Sequence, residues 1–221
     1  MDFSISKRAS NKGLKMLPFQ HAKDAVSGLQ KGGRVVGLTK GQFSLIHLIS
    51  EVLKITGPAE VLISTWSAGV YDASALRAML DSGLILDVMI MTDRSYPTRQ
   101  KEYATTLEMA FGKDKIRTTN THAKFVLISN EEWKICIRSS MNLNENKRCE
   151  NFDLDDDAEI FDFYHRFANE VFDAMPEGFT EQRAVVDPVF DGLMGGGLFP
   201  DKKKITGFVV RGKNGLVKSE L

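Results

Sequence analysis

The chain alternates between short apolar runs and longer segments in which apolar residues recur every three or four positions. Short runs rich in Val, Ile and Leu are typical of β-strands, whereas the longer spacing is typical of helices with one buried face. The runs that predict strands are 34–39, 60–65, 84–92, 122–129, 133–138 and 150–154. The segments that predict helices are 42–55, 72–81, 98–111 and the stretch after 155–157. This alternation predicts an α/β fold, with a mixed β-sheet flanked by helices on both faces.

Several element ends carry their own signals. Gly57-Pro58 closes the first predicted helix, and Asp72 or Ser74 is expected to cap the second. Residues 130–132 predict a hairpin-like connection between two strands. The three aspartates at 155–157 suit a helix N-terminus, where they supply an N-cap and complement the helix dipole. A divalent-metal cluster is the weaker alternative for them, because adjacent carboxylates converge on one ion only around a special turn.

The same pattern predicts three parts along the chain. Residues 1–20 form a polar, basic N-terminal arm, and residues 21–176 form the α/β domain. Residues 177–221 form a C-terminal appendage rich in Gly and Lys, in which Lys213-Asn214-Gly215 indicates the turn of a β-hairpin. No internal repeat is visible.

Composition and charge narrow the class of protein. Of the 221 residues 43% are hydrophobic, and Lys+Arg and Asp+Glu both number 29, so any site for a polyanion must be local. Cys136 and Cys149 are too few for a zinc site, and buried thiols in a reducing compartment are favoured over a disulfide. The chain lacks a long apolar run and a signal-peptide pattern. A cytoplasmic protein without a membrane partner is therefore expected.

The candidate chemistry begins at His122 and Lys124. Two residues apart on a predicted strand, they project to the same face, which places a nucleophile or proton carrier beside a fixed positive charge. Ser140 and Asn142 have the same spacing and can both donate hydrogen bonds to phosphate oxygens. Glu150 can accept a hydrogen bond from a histidine ring nitrogen and so select its tautomer. Taken one at a time, these pairs are as typical of a surface pair and a turn as of a site.

Their order along the chain adds a resemblance. His122-x-Lys124, Ser140-x-Asn142-x-Asn144 and Arg148-x-Glu150-Asn151, followed by an acidic turn and an amphipathic helix, resemble the phospholipase D superfamily. The resemblance covers about residues 30–175 and is strongest to the small nuclease members that carry a single motif. It implies a phospholipase D-like sandwich fold.

The resemblance also implies roles for these residues. His122 would be the nucleophile that forms a phosphohistidine, Lys124, Ser140 and Asn142 would hold the phosphate, and Glu150 would orient the histidine. Neither a metal nor a cofactor is implied. In this family two motifs meet at one active site, and the second histidine protonates the leaving oxygen. Because this chain has one copy, two chains related by a two-fold axis would supply the pair, as an isologous homodimer.

Two positions depart from the family pattern. Ser129 stands where the family has an Asp seven residues after the histidine, and Ser139 stands where it has a Gly before the motif serine. These departures keep open an alternative, a phospholipase D-like protein that binds nucleic acid or protein partners without cleavage. A lipid phosphodiesterase is less favoured, since the sequence shows no amphipathic membrane-binding helix.

The leading hypothesis is a metal-independent phosphodiesterase, an endonuclease that acts on nucleic acid, with DNA favoured over RNA. Further substrate contacts are expected from Arg94 and Trp66, which follow predicted strands, and from Asn144 and Arg148. Basic residues outside the cleft are candidates for backbone phosphate contacts, namely Lys12, Lys15, Lys147 and 202–204. His47, on an apolar helix, is predicted to be a packing or boundary residue.

Overall fold

The computed structural model describes residues 20–145, 147–179, 189, 209–212 and 215–218. The strands are β1 Arg34–Thr39, β2 Ala59–Thr65, β3 Ile85–Asp93, β4 Ile116–Thr119, β5 Phe125–Ser129, β6 Lys134–Ser139, β7 Glu150–Asp156, β8 Val209–Gly212 and β9 Gly215–Lys218. The helices are α1 Ala22–Val26, α2 Leu45–Thr56, α3 Val70–Asp81, α4 Tyr96–Arg99, α5 Lys101–Phe111 and α6 Ala158–Ala174.

Seven of these strands form one mixed sheet, in the order β1-β7-β6-β5-β2-β3-β4. The β2–β3 and β3–β4 pairs are parallel, whereas the other neighbouring pairs are antiparallel. One edge of the sheet therefore holds the C-terminal ends of β1, β2, β3, β4 and β6 and the N-terminal ends of β5 and β7. We call this edge, marked by Thr39, Thr65, Asp93, Thr119 and Ser139, the site edge.

Helices cover both faces of the sheet, as the sequence predicted. On one face, α1, α2, α3 and α5 pack on alternate strand residues such as Ile63, Val126 and Ile128. On the other, α6 packs on the residues between them, including Leu127 and Cys136. Because the central strands are buried on both sides, their sequences are continuous apolar runs. The predicted α/β fold with a mixed sheet between helices is confirmed.

Some elements differ from the prediction. The single helix expected over 98–111 is divided at Gln100, whose backbone leaves the helical conformation (φ −139°, ψ 59°), into α4 and α5. Helix α3 has Gly69 at its N-cap, so neither Asp72 nor Ser74 caps it. The strand expected over 122–129 begins only at Phe125. Strand β4 and helix α1 were not predicted, since four and five residues are too few to show a period.

The acidic triplet before α6 separates onto three different partners. Asp155 pairs with Arg138 across the sheet, Asp156 accepts backbone N–H groups of Gly32 and Lys134, and Asp157 accepts those of Glu159 and Ile160. The N-cap expected from this triplet is therefore Asp157. No group of three His, Cys, Asp or Glu side chains arranged to hold a metal ion occurs among the residues described.

The two cysteines are not bonded to each other. Cys136 is buried beneath α6, and its burial raises the pKa of the thiol to about 12. Cys149 is exposed, so the expectation of two buried thiols is wrong for this residue.

In the C-terminal part, β8 and β9 form an antiparallel pair with Val210 opposite Val217. The boundaries at residues 20 and 176 stay predictions, and the N-terminal arm and most of the appendage, Lys202–204 included, lie outside the described residues. Among the helices described, none combines the length and apolar composition needed to cross a bilayer.

Gly37→Ala is expected to lower the free energy of unfolding by about 1–3 kcal/mol, the usual cost of overpacking a core. Gly37 lies under the ring of fully buried Phe152, and a Cβ there would be 2.3 Å from Phe152 Cζ. The ring cannot yield freely, because its other neighbour is Phe43, with ring centroids 5.9 Å apart. Urea denaturation would measure the loss. Gly28→Ala is the control, since a Cβ there meets nothing within 4 Å. Equal stability of the two variants would contradict the prediction.

Candidate active site

The site edge gathers the candidate residues from separate parts of the chain. His122 and Lys124 lie between β4 and β5, and Glu150 is the first residue of β7. Residues Ser140, Asn142 and Asn144 follow β6, Trp66 follows β2, and Arg94 follows β3. Strand direction alone therefore places all the predicted site residues that border these strands at one edge.

His122 and Lys124 are in direct contact, although they precede β5 and do not lie within a strand. The Lys124 ammonium lies 3.2 Å from His122 Nδ1 and donates to the His122 carbonyl oxygen at 2.9 Å. The backbone around them is held by two hydrogen bonds. Ser64 Oγ donates to the Ala123 carbonyl at 2.8 Å, and the Ser139 N–H donates to the Lys124 carbonyl at 3.1 Å. The same-strand reasoning was wrong, but the predicted proximity of the two side chains is present.

Lys124 is also within the electrostatic reach of Glu150. Partial burial lowers the pKa of the Lys124 ammonium, and the negative charge of Glu150 opposes that shift. The two residues thus belong to one electrostatic group.

Ser140 binds protein groups in this structure. Its hydroxyl donates to Glu150 Oε2 and accepts the N–H of Asn151 at 2.9 Å, while its own N–H donates to the Asn151 carbonyl at 3.1 Å. Ser140 therefore fixes the Glu150 carboxylate next to the β6–β7 connection. The contact expected between Glu150 and the His122 ring stays a prediction.

The side chain of Asn142, unlike that of Ser140, is not engaged by the protein groups described. It is half-buried and makes no hydrogen bond with the described residues, and its Oδ1 is buried. The backbone on its C-terminal side is held rigidly. The Leu143 N–H donates to Thr65 Oγ1 at 3.0 Å and to the Ser67 carbonyl at 3.2 Å, and the Leu143 carbonyl accepts the Gly69 N–H at 2.8 Å. No described residue accepts from the Asn142 amide N–H groups, and these are the donors that Asn142 can offer to a ligand. Asn144, which follows Leu143, donates to Ser67 Oγ at 3.5 Å.

Trp66 forms one wall beside His122, with ring centroids 5.5 Å apart and planes tilted by 56°. A substrate contact by Trp66 stays a prediction. On the indole lies Arg99, a residue that was not singled out from the sequence. Its guanidinium carbon is 3.6 Å from the indole centroid. Arg99 is the last residue of α4, close to the end of β3, and this position after a parallel strand was the signal that could have found it.

The other two predicted arginines are less closely defined. The Arg94 backbone N–H donates to the Thr119 carbonyl at 3.1 Å, which holds the β3–α4 turn against the end of β4. Its side chain is half-buried at the site edge. Arg148 is exposed in the connection that leads into β7. Substrate contacts by either side chain stay predictions.

A second polar group, also missed in the sequence, lies where α2 and α3 begin. Ser44 caps α2, and His47 Nδ1 accepts the Ser44 N–H at 3.1 Å, so His47 is an exposed capping residue and not a packing residue. Asp72 is 1% exposed and 3.5 Å from Ser44 Oγ. Burial raises the pKa of Asp72, with smaller lowering contributions from its own backbone N–H, His47 and Ser44. A Cβ on Gly69 would touch both Asp72 and Asn144, so this group borders the Asn142 loop.

The two departures from the family pattern do not distort this arrangement. Ser129 is the last residue of β5, opposite Glu60 and Lys134, at the end of the strand remote from His122. The five residues of β5 alone place this end roughly 15 Å from the end near His122. Ser139 Oγ donates to the Asn151 carbonyl at 2.6 Å and accepts the Met141 N–H at 3.0 Å, and no residue other than glycine has a positive φ among those described. A side chain at position 139 is thus accommodated.

No protein-family model and no curated protein sequence matches this chain. Among solved structures, Nuc from Salmonella typhimurium, described as a phospholipase D family member, is 15% identical over 67% of this chain and 99% of its own, with a TM-score of 0.48. NucT from Helicobacter pylori is 15% identical over 66% of this chain and 99% of its own, with a TM-score of 0.49. Polyphosphate kinase from Porphyromonas gingivalis is 17% identical over 69% of this chain but 27% of its own, also with a TM-score of 0.49. At these values the similarities establish neither the family nor the activity of this chain.

Proposed function

We propose that this protein is a metal-independent phosphodiesterase of the phospholipase D type, an endonuclease that cleaves DNA through a phosphohistidine on His122. The contact between the Lys124 ammonium and the His122 ring carries the proposal. It places a fixed cation next to a nucleophile at an open edge of the sheet, where the Glu150 carboxylate and the Asn142 amide also lie. Phosphoryl transfer needs a positioned nucleophile and stabilisation of charge on the phosphate oxygens, and these groups supply both.

The reaction has two steps. In the first, a ring nitrogen of His122 attacks phosphorus, a P–N bond forms, and the P–O bond to the leaving oxygen breaks as that oxygen takes a proton. In the second, water attacks phosphorus and gives up a proton to the group that protonated the leaving oxygen, the P–N bond breaks, and the retained strand is released as a phosphomonoester. Lys124 and Asn142 bind the phosphate oxygens in both steps.

The contact with Lys124 also bears on which ring nitrogen of His122 carries the proton before substrate binds. A charged ammonium can only donate, so this contact is a hydrogen bond in the tautomer that carries its proton on Nε2, with Nδ1 as the acceptor. A phosphate that draws Lys124 onto its own oxygens vacates Nδ1, and the proton can then move to Nδ1, with Glu150 as its acceptor. That exchange leaves Nε2 unprotonated and nucleophilic, so substrate binding itself would activate His122.

The leaving oxygen needs a second proton donor, which we assign to His122 of the partner subunit in a two-fold homodimer. Within the chain, His47 also lies at the site edge, but its ring is engaged with Ser44 and lies 6.4 Å from the Tyr71 ring. The exposure of His122 and the open sheet edge leave room for a second chain to approach.

Several basic side chains at the site edge are available to a polyanionic substrate. The net charge of the whole chain is zero, yet Lys124, Arg94, Arg99 and Arg148 all lie at or near the site edge. Of the two positions that motivated the alternative of binding without cleavage, Ser129 lies at the end of β5 remote from His122, and Ser139 forms ordinary hydrogen bonds with Asn151 and Met141. Catalysis is therefore the better supported function.

The direct test is cleavage of plasmid DNA, single-stranded DNA and RNA by the purified protein in excess EDTA. We expect cleavage of both DNA substrates under these conditions, at a higher rate than cleavage of RNA. Binding without cleavage, weakened steeply by salt, would support the alternative. Sedimentation equilibrium at micromolar concentration is expected to give twice the 24.7 kDa chain mass, and a monomer would contradict the shared site.

A further inference from the structure

Arg99 is held in one orientation by three contacts. Its guanidinium stacks on Trp66 at 3.6 Å, Nη2 donates to the Trp66 carbonyl at 3.1 Å, and Nε donates to Ser95 Oγ at 2.9 Å. Ser95 is fixed in turn, because Asp93 accepts its backbone N–H at 2.8 Å and also its hydroxyl. A long side chain has thus lost most of its rotamer freedom before any ligand arrives.

The guanidinium is not saturated by these contacts. Two of its five N–H groups donate to the described residues, and the side chain is exposed, so three N–H groups remain for a ligand. Trp66, on which Arg99 rests, also contacts the ring of His122. The remaining donors therefore lie one aromatic side chain away from the proposed nucleophile.

We propose that Arg99, stacked on Trp66, binds the phosphate that neighbours the scissile one, so that the site takes a polynucleotide strand and not an isolated phosphodiester. This assignment rests on the proposed function. The planar fork of arginine matches two phosphate oxygens, and an arginine ordered in advance loses less entropy when it binds them. If Arg99 only packed against the Trp66 ring, its remaining N–H groups would have no role in ligand binding.

The first experiment measures binding without cleavage. In the His122→Ala background, a short fluorescent oligothymidylate is titrated by anisotropy at several salt concentrations, with and without Arg99→Ala. We expect about tenfold weaker binding or more from the loss of a charged hydrogen-bonding pair. The slope of log affinity against log salt should become shallower by about 0.7, the value for one phosphate contact on a single strand.

Two further variants make this result decisive. Arg166→Ala removes the same charge from an exposed position on α6, where the side chain bonds, among the residues described, only to its own helix, and should change neither affinity nor slope. Arg99→Lys keeps the charge without the stacked fork, so it should restore the slope and only part of the affinity. An unchanged slope in Arg99→Ala would overturn the proposal, even with weaker binding, because a purely structural role loses no phosphate contact.

The second experiment compares substrates with and without a neighbouring phosphate. Arg99→Ala is expected to lower kcat/KM for oligothymidylate by about tenfold more than for bis(p-nitrophenyl) phosphate, which has a single phosphate. Equal losses on the two substrates would overturn the assignment. A wild-type protein that cleaves neither substrate would refute the proposed function, while the binding experiment would still decide the role of Arg99.

Discussion

His122→Ala is expected to abolish DNA cleavage in EDTA, with a fall in kcat of about 10⁴-fold or more, as is usual when a covalent nucleophile is removed. The methyl side chain of alanine cannot form the P–N bond, and no other histidine ring touches the Lys124 ammonium among the described residues. Binding of DNA should persist, because Lys124, Asn142 and Arg99 remain. A time course of plasmid nicking, together with anisotropy on the same preparation, would measure both effects.

The matched control is His21→Ala. His21 is also exposed, and it occupies the N-cap position of α1 without a side-chain capping bond, so its loss should leave cleavage unchanged. Mass spectrometry of wild-type protein trapped during turnover, and kept out of acid because acid hydrolyses the P–N bond, should show an adduct of the retained DNA strand that His122→Ala lacks. In comparable enzymes, removal of the nucleophile lowers the rate far more than tenfold. Residual nicking above one-tenth of the wild-type rate would therefore refute the assignment of His122 as the nucleophile.

Lys124→Ala is expected to reduce kcat by about 10²–10³-fold, the effect of removing one preorganised charge donor from a developing oxyanion. Lys124→Arg should retain more activity and also change the pH profile. Burial lowers the pKa of Lys124, so its ammonium loses its charge, and its hold on phosphate, at a lower pH than an ordinary lysine would. Arginine stays charged throughout. The alkaline limb of kcat/KM should therefore move to higher pH in Lys124→Arg, as measured by initial rates across the alkaline range.

Lys54→Ala is the control for this series. Lys54 is exposed near the C-terminal end of α2, at the edge of the sheet remote from His122, and pairs with Glu51 at 2.6 Å. Its removal should alter neither kcat nor the pH profile. If the fall of kcat/KM at high pH were identical in wild type and Lys124→Arg, another group would cause it. That result would contradict the proposal that deprotonation of Lys124 weakens its contact with phosphate.

Much of the fold was readable because burial imposes a period on the sequence. The runs at 34–39 and 60–65 correspond closely to β1 and β2, and the apolar stripe over 42–55 corresponds to α2. The hydrophobic pattern failed where the cause was local backbone geometry. Gln100 leaves the helical conformation without any change in apolar spacing, and β4 is shorter than the pattern can register.

In the candidate site, too, contacts between residues close in the chain were predicted and contacts between distant residues were not. Pairs close in the chain, such as His122 with Lys124, were predictable from spacing, even though the reason offered, a shared strand, was wrong. The bond from Ser140 to Glu150 was not predicted, because ten residues of connection separate the two and only the β6–β7 pairing brings them together. The stacking of Arg99 on Trp66 was not predicted for the same reason, since the two residues are 33 positions apart in the chain.

The sequence by itself determined the layered α/β architecture and the identity of the reactive groups, because periodicity and side-chain chemistry are local properties of the chain. Only the tertiary structure decided that strand direction brings five connections to one edge, that Arg99 and Trp66 form a wall beside His122, and that Ser129 lies far from it. These are consequences of strand order and register, which depend on contacts between residues distant in the chain and leave no local pattern to recognise.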